Sequence, residues 1–236
     1  MTYRFNLDPN QMPPVFRCFT LQKYPFRLTE PPLPCYSFST DRSVGRFMNK
    51  QDILEAAAGI FREKGFHATS MKDIAEAVHL QKASLYHHID SKQEILLALL
   101  DQALDLLIDD MQSIVESDHP PPEKLKAAIH RYMNMLAANA DLATVLLLEY
   151  RSLAPEFHRR HVKRRDRFES LWRQILKEGV DSGDFRELDP AVTGFALLGA
   201  LNWMITWYQA EGDLTAGELA ERFHAIFHHG LALDGG

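Results

Sequence analysis

The sequence predicts an all-α protein: an N-terminal three-helix, helix-turn-helix head followed by a larger C-terminal helical bundle. Three observations carry that expectation. Apolar residues recur at helical spacing from Asn49 onward. Helix start and stop signals punctuate the pattern, with hydroxyl or carboxamide caps before it, prolines in first turns and glycines after last turns. Within residues 69–92, two short helical patterns are separated by a tight bend at His79-Leu80. The 236 residues suit one large or two small domains, and 46% hydrophobic content allows a sizeable core.

Residues 1–47 differ from the rest. They hold seven prolines (Pro9, Pro13, Pro14, Pro25, Pro31, Pro32 and Pro34), both cysteines (Cys18 and Cys35), and a basic excess of Arg4, Arg17, Lys23, Arg27, Arg42 and Arg46. No apolar period persists, so the expectation is a disordered basic tail. The alternative is a basic arm that enters a minor groove. Two cysteines give neither a disulfide framework nor zinc spacing. The start lacks a basic cluster followed by an apolar run, so no secretory signal is expected. No stretch reaches the ~18 unbroken apolar residues of a membrane span. A reduced cytoplasm is the natural setting.

Residues 49–64 form an amphipathic helix with Ile53, Leu54, Ala57, Ile60 and Phe61 on its core stripe, closed by Gly65. Thr69 or Ser70 caps the next helix, and Asp73 stands three residues after Ser70, as a capping box requires. Met71, Ile74, Ala75 and Val78 give that helix a narrow apolar face. A second short helix starts at Gln81. Its Leu85 and Ile89 turn inward, which leaves Lys82, Ala83, Ser84, Tyr86 and His87 outward. Such a surface can touch phosphates and base edges, and its small residues admit a close backbone approach. A solvated helical hairpin is the alternative.

The residues Thr69, Ile74, Ala75, Leu85, Tyr86, His88, Ser91 and Lys92 stand in register with the DNA-binding motif of the TetR family of bacterial regulators, which this stretch resembles. The chain departs from the motif at His79 (a turn glycine in the family), Gln81 (serine), Ala83 (glycine) and Ile89 (phenylalanine). Histidine tolerates positive φ better than most residues, so His79 can still make the turn. The resemblance implies a head spanning residues 48–95 and a ligand-binding and dimerisation domain spanning residues 96–236. Met48 stands where members of that family commonly begin. The DNA-facing residues it implies are Thr69, Ser70, Lys82, Ala83, Ser84, Tyr86, His87 and Lys92, on double-stranded operator DNA. The net charge of −6 is weak support for a polyanion partner. Lys50, Lys72, Lys82 and Lys92 would carry most phosphate contacts.

Ser91, with Glu94 three residues on, reads as a capping box for a long helix running to about residue 117. Helices follow at about 122–139, with a first-turn proline, and at 141–151. A long helix at about 155–182 is strongly basic in its first half (His158, Arg159, Arg160, His161, Lys163, Arg164, Arg165 and Arg167) and is closed by Gly183. That run is either a solvated face or a rim for an anionic effector, whose phosphates would suit arginine forks.

Asp189-Pro190 opens a helix that is apolar almost all round, AVTGFALLGALNWMITWYQA. A helix apolar on every face must be buried on every face. With the amphipathic helix at 215–231, it is expected to pack against its own copy in a homodimer. Tyr132, Met133, Phe195, Trp203, Met204, Trp207 and Tyr208 would line an apolar pocket or form ordinary core. His224 and His228 have metal-ligand spacing without an evident third ligand, and interface histidines are the preferred reading. No cofactor is expected.

A nucleophile elbow, a phosphate loop, paired zinc motifs and a dinucleotide glycine pattern are all missing from the sequence. The expectation is therefore a ligand-responsive regulator, in most cases of this kind a repressor, and no enzyme. The alternatives are an α-helical enzyme or a dimeric adaptor without DNA binding. The W-x-x-x-W-Y run resembles that of regulators of fatty-acid and sterol breakdown, which implies an acyl-CoA-type effector.

Overall fold

Asn49 opens the first helix with a reciprocal cap. Its side chain accepts from the backbone N–H of Asp52, and Asp52 accepts from the N–H of Asn49, both at 2.9 Å. The computed structural model describes residues 49–231, so the expectations for residues 1–47 lie outside the described residues. The head consists of α1 (Lys50–Lys64), α2 (Met71–Ala77) and α3 (Lys82–Leu85). Ile53, Leu54, Ala57 and Phe61 are buried as expected, while Ile60 is half-buried. Phe66 packs edge-on against Phe61, with ring centroids 5.3 Å apart, and closes the head from below.

Six further helices complete the described chain: α4 (Lys92–Val115), α5 (Pro121–Ala138), α6 (Ala140–Leu148), α7 (Pro155–Ser182), α8 (Pro190–Asn202) and α9 (Ala216–Leu231). Their proline and hydroxyl starts are those the sequence signals. Pro121 and Pro155 occupy first turns, and Asp189 caps α8 by accepting from Ala191 N–H at 2.7 Å. The box at the start of α4 is only half formed. Ser91 Oγ accepts from Glu94 N–H, but the Glu94 carboxylate turns to Asp90 N–H instead. Gly183 ends α7 in the left-handed conformation, at φ +79°.

The body's core is centred on Trp172, which is fully buried among Tyr132 and Phe168 in edge-on and tilted contacts at 5.6–6.3 Å. Lys124 is buried too. Its ammonium donates to Val115 O at 2.7 Å and to Glu178 at 3.0 Å, tying the last turn of α4 to α7. The penultimate helix is shorter than the sequence suggests. It ends at Asn202, and residues Trp203–Thr206 form a 3-10 turn. Helix α6 likewise passes into a 3-10 turn, Glu149–Ser152.

Candidate nucleic-acid interface and effector cavity

The bend of the head is a Schellman turn. Leu80 N–H donates to Ala75 O at 2.8 Å and His79 N–H donates to Glu76 O at 3.1 Å. His79 sits at φ +55°, alone among the described non-glycine residues in having positive φ. Ser70 and Asp73 form the expected box. Ser70 Oγ and Ser70 N–H donate to Asp73 Oδ2 at 2.6 and 2.7 Å, and these two bonds, the hydroxyl's first, hold the Asp73 carboxyl down at about 2.

Leu85 and Ile89 are buried beneath α3, so the outer face falls to the residues the sequence nominates. Lys82, Ala83 and His87 are exposed, Tyr86 is 42% exposed and Ser84 is half-buried. The Lys82 ammonium lies 6.0 Å from the Tyr86 ring centroid and, among the described residues, pairs with no carboxylate. Lys72 instead leans on Glu76 at 3.4 Å, and Lys64 on Asp73 at 3.5 Å.

Two of the nominated DNA contacts are engaged inside the head. Thr69 is 2% exposed, and its hydroxyl donates to Gly65 O at 2.8 Å. The Lys92 ammonium donates to Phe66 O at 2.6 Å and Thr69 O at 2.5 Å, and lies 4.3 Å from the Phe66 ring centroid. It satisfies the carbonyls of the α1–α2 connection, and burial lowers its pKa. Ser70 remains exposed at the start of α2.

A cavity of about 240 Å³ opens in the body between α4, α5, α6, α7 and α8. Leu104, Leu107, Leu146, Leu147, Phe168 and Leu198 supply apolar walls. Tyr132, Tyr150, His161, Arg165, Glu169 and Asn202 supply polar groups. Tyr132 donates its hydroxyl to Asn202 Oδ1 at 2.5 Å, and burial raises its pKa. His161 is 1% exposed, its Nδ1 has no partner, and its ring stacks on Tyr150 at 5.9 Å. Burial first, and then the Arg165 charge, push the imidazole down to about 4, so it is neutral near pH 7.

The expected pocket residues do not converge on this cavity. Only Tyr132 lines it. Met133 is buried in the core, and Met204 faces a smaller crevice beside Leu136 and Tyr208. Phe195, Trp203 and Trp207 are 57%, 65% and 46% exposed. The 3-10 turn after Asn202 changes the rotation per residue and sends the two tryptophans outward, where Val192 and Ile226 are exposed as well.

Sequence reasoning missed His161 as a wall residue because it sits within a basic run. Much of that run is answered by the acids of α4. Arg160 meets Asp101 at 2.6 Å, and Arg164 reaches Asp101 at 3.4 Å and also pairs with Asp105. Arg159 and Lys163 have no acidic partner among the described residues. A larger opening of about 410 Å³ beside α1 and the α5–α6 junction is lined by Gln51, Glu55, Arg62, Gln102 and Asp141; it is a surface groove. His224 and His228 stack at 5.3 Å, and no group of three metal-ligating side chains occurs among the described residues. No described helix is long and apolar enough to cross a membrane.

Comparisons with known proteins cover both parts of the chain. Residues 53–99 match the family model described as bacterial regulatory proteins, tetR family, and residues 118–231 match that of the tetracyclin repressor-like C-terminal domain. The HTH-type transcriptional repressor KstR2 of Mycobacterium tuberculosis is 29% identical over 199 residues, which are 83% of this chain and 99% of that one. Its solved structure superposes with a TM-score of 0.74 at 28% identity, over 82% of this chain and 100% of the other. The TetR family regulator PfmR from Thermus thermophilus is 38% identical, with a TM-score of 0.71, over 78% of this chain and 99% of that one. AibR, solved in complex with isovaleryl coenzyme A and operator DNA, is 28% identical with a TM-score of 0.70, over 75% and 96% of the two chains. With both halves matched and a 38% identical relative covered almost end to end, the chain belongs to the TetR family, as a DNA-binding transcriptional regulator and not an enzyme.

Proposed function

We propose that this regulator is a homodimeric repressor that leaves a palindromic operator when a compact acyl-CoA-type effector enters the cavity of its body. The observation that carries the DNA half is the outer face of α3, where Lys82, Tyr86 and His87 stand exposed above a buried Leu85 and Ile89. Lys82 supplies a phosphate or guanine contact, Tyr86 a phosphate contact, and Ala83 and Ser84 a close approach to the major groove. Ser70 at the start of α2 is placed for a neighbouring phosphate. Thr69 and Lys92 hold the connection that presents this surface. Residues 48–95 act as the head, and residues 96–236 as the effector-binding and dimerisation domain.

The dimer rests on the outer faces of α8, the turn after it and α9, where Val192, Phe195, Trp203, Trp207 and Ile226 are exposed. Five large apolar side chains left exposed on the last elements of the chain support an interaction surface there. Two heads then face successive major grooves, and only their spacing must change to release DNA.

The effector reading is supported by the cavity's size and its polar groups. About 240 Å³ lies just below the ~300–1,000 Å³ of drug-sized sites, which suits a short acyl group. Neutral His161 and the Asn202 amide can hydrogen-bond a thioester oxygen. Arg165 at the rim, with Arg159 and Lys163 further along α7, suits the phosphates. The complex of AibR with isovaleryl coenzyme A supports the same class of ligand. A gel shift on DNA from upstream of the chain's own gene, with isovaleryl-CoA titrated in, tests this directly. The expected result is loss of the shifted band by at least about fivefold in affinity, in the ordinary range of effector coupling. A band indifferent to short, medium and long acyl-CoAs removes the effector class.

A further inference from the structure

Gln81, at the start of α3, has an anchored backbone and an unengaged side chain. Leu80 before it is tied back to Ala75 O through its N–H at 2.8 Å. The Gln81 carbonyl accepts from the N–H of fully buried Leu85 at 3.1 Å. The backbone between these two bonds is extended, at φ −71° and ψ 146°, in the N-cap position of α3. The carboxamide nevertheless makes no capping bond, and the residue is exposed. A serine in this place, as in the family motif, is a good cap that turns back to the first N–H groups of the helix. Glutamine is not, and its longer side chain is left on the outer surface of the head.

The neighbouring side chains lack what that carboxamide has. Lys82 carries donors alone, Tyr86 a single hydroxyl and Ala83 no polar atom, while Ser84 is half-buried. His87 and His88 are exposed, but an imidazole holds its two nitrogens on opposite sides of the ring. Ser70, across the turn, engages its hydroxyl with Asp73 at 2.6 Å. Of the exposed side chains from Gln81 to His88, Gln81 alone presents a donor and an acceptor side by side. Helix α3 is a single turn of four residues, so its dipole adds little and base reading falls to side chains. In the major groove adenine shows an acceptor, N7, beside a donor, the N6 amino group. A carboxamide matches that edge with two bonds. Guanine shows two acceptors there, so one of the two bonds is replaced by a repulsion between oxygens or between oxygen and N7. The N-terminal residues of a recognition helix are the ones that meet base edges.

We propose that Gln81 is a specificity-determining residue of this regulator and reads one adenine in each half of its operator through the side-chain carboxamide. The assignment rests on the reading that the face of α3 meets DNA. Lys82 and Tyr86 set how tightly the head holds a duplex, and Gln81 sets which base pair it prefers. The uncapped start of α3 and the free carboxamide have one cause: the side chain that does not close the helix is the one that reaches the groove.

The test uses the full chain and a random-sequence duplex library, from which wild type, Gln81→Ala and Gln81→Ser each select their sites. Wild type is expected to select a two-fold symmetric site with an adenine fixed at one position of each half. Gln81→Ala should keep the other positions and lose the preference at that one. In fluorescence anisotropy at one salt concentration, guanine for that adenine in one half-site should weaken wild type by about tenfold and Gln81→Ala by less than about twofold. Gln81→Ser separates reading from folding. It restores a cap, so its urea midpoint should be no lower than that of wild type, yet the adenine preference should be lost. An adenine preference retained in either variant overturns the proposal, as does a preference lost at a G·C pair instead. Tyr86→Ala tells this failure from failure of the α3 face. If Tyr86→Ala binds the selected site weakly while Gln81→Ala keeps the full preference, the face meets DNA and Gln81 is not its reader. A wild type that selects no site, or a Tyr86→Ala that binds the selected site as tightly as wild type, overturns both.

Discussion

His79 carries the turn of the head in a conformation that L-residues adopt at a cost, at φ +55°. The backbone pattern there is a full Schellman turn, so the position itself asks for glycine. His79→Gly is expected to raise stability by about 0.5–1 kcal/mol, the left-handed cost net of glycine's larger unfolded-state entropy. Urea denaturation should show a higher midpoint with unchanged slope; a lower midpoint would mean the imidazole makes a contact that outweighs the strain. This turn was legible in the sequence because local chemistry alone decides it, as with the Ser70–Asp73 box. Lys92 and Thr69 were not. A lysine after Ser91 reads as a phosphate contact until Phe66 O and Thr69 O, which stand 26 and 23 residues away in sequence, are found to accept from it. Long-range partners of long side chains leave no local trace.

Among the elements, α7 was legible from end to end, because Pro155 and Gly183 mark its bounds with separate physical signals. Its basic run was legible as charge and not as structure. The acids that answer Arg160 and Arg164 lie on α4, about sixty residues earlier. Helix α8 poses the converse problem. Apolar character on every face requires cover on every face, but periodicity cannot tell a cavity from a partner chain. The end of α8 at Asn202 separates them, since it turns Trp203 and Trp207 away from the cavity. If that outer face meets its copy, Trp203→Glu should raise the dimer dissociation constant by at least about 30-fold, the scale of an interface hot spot. Because Trp203 is 65% exposed within one chain, the fold itself should be unchanged. Sedimentation equilibrium reads this; a dimer as tight as wild type would place the interface elsewhere.

At the scale of the molecule, α4 belongs to both parts. Its first turn holds Lys92 against the head and Gln93 against the 3-10 turn after α6, and its later turns wall the cavity with Leu104 and Leu107. Fold class and family were legible because helical period and one motif suffice for them. The cavity was not, because five helices that are distant in sequence enclose it. The central claim is that the face of α3 above Leu85 and Ile89 meets operator DNA. The most direct measurement is operator affinity of Tyr86→Ala at one fixed salt concentration, by fluorescence anisotropy, beside its far-UV spectrum and dimer mass. The expected result is affinity lower by about tenfold, because each of two heads forfeits one phosphate hydrogen bond, with spectrum and mass unchanged. Wild-type affinity in a folded, dimeric Tyr86→Ala would contradict it.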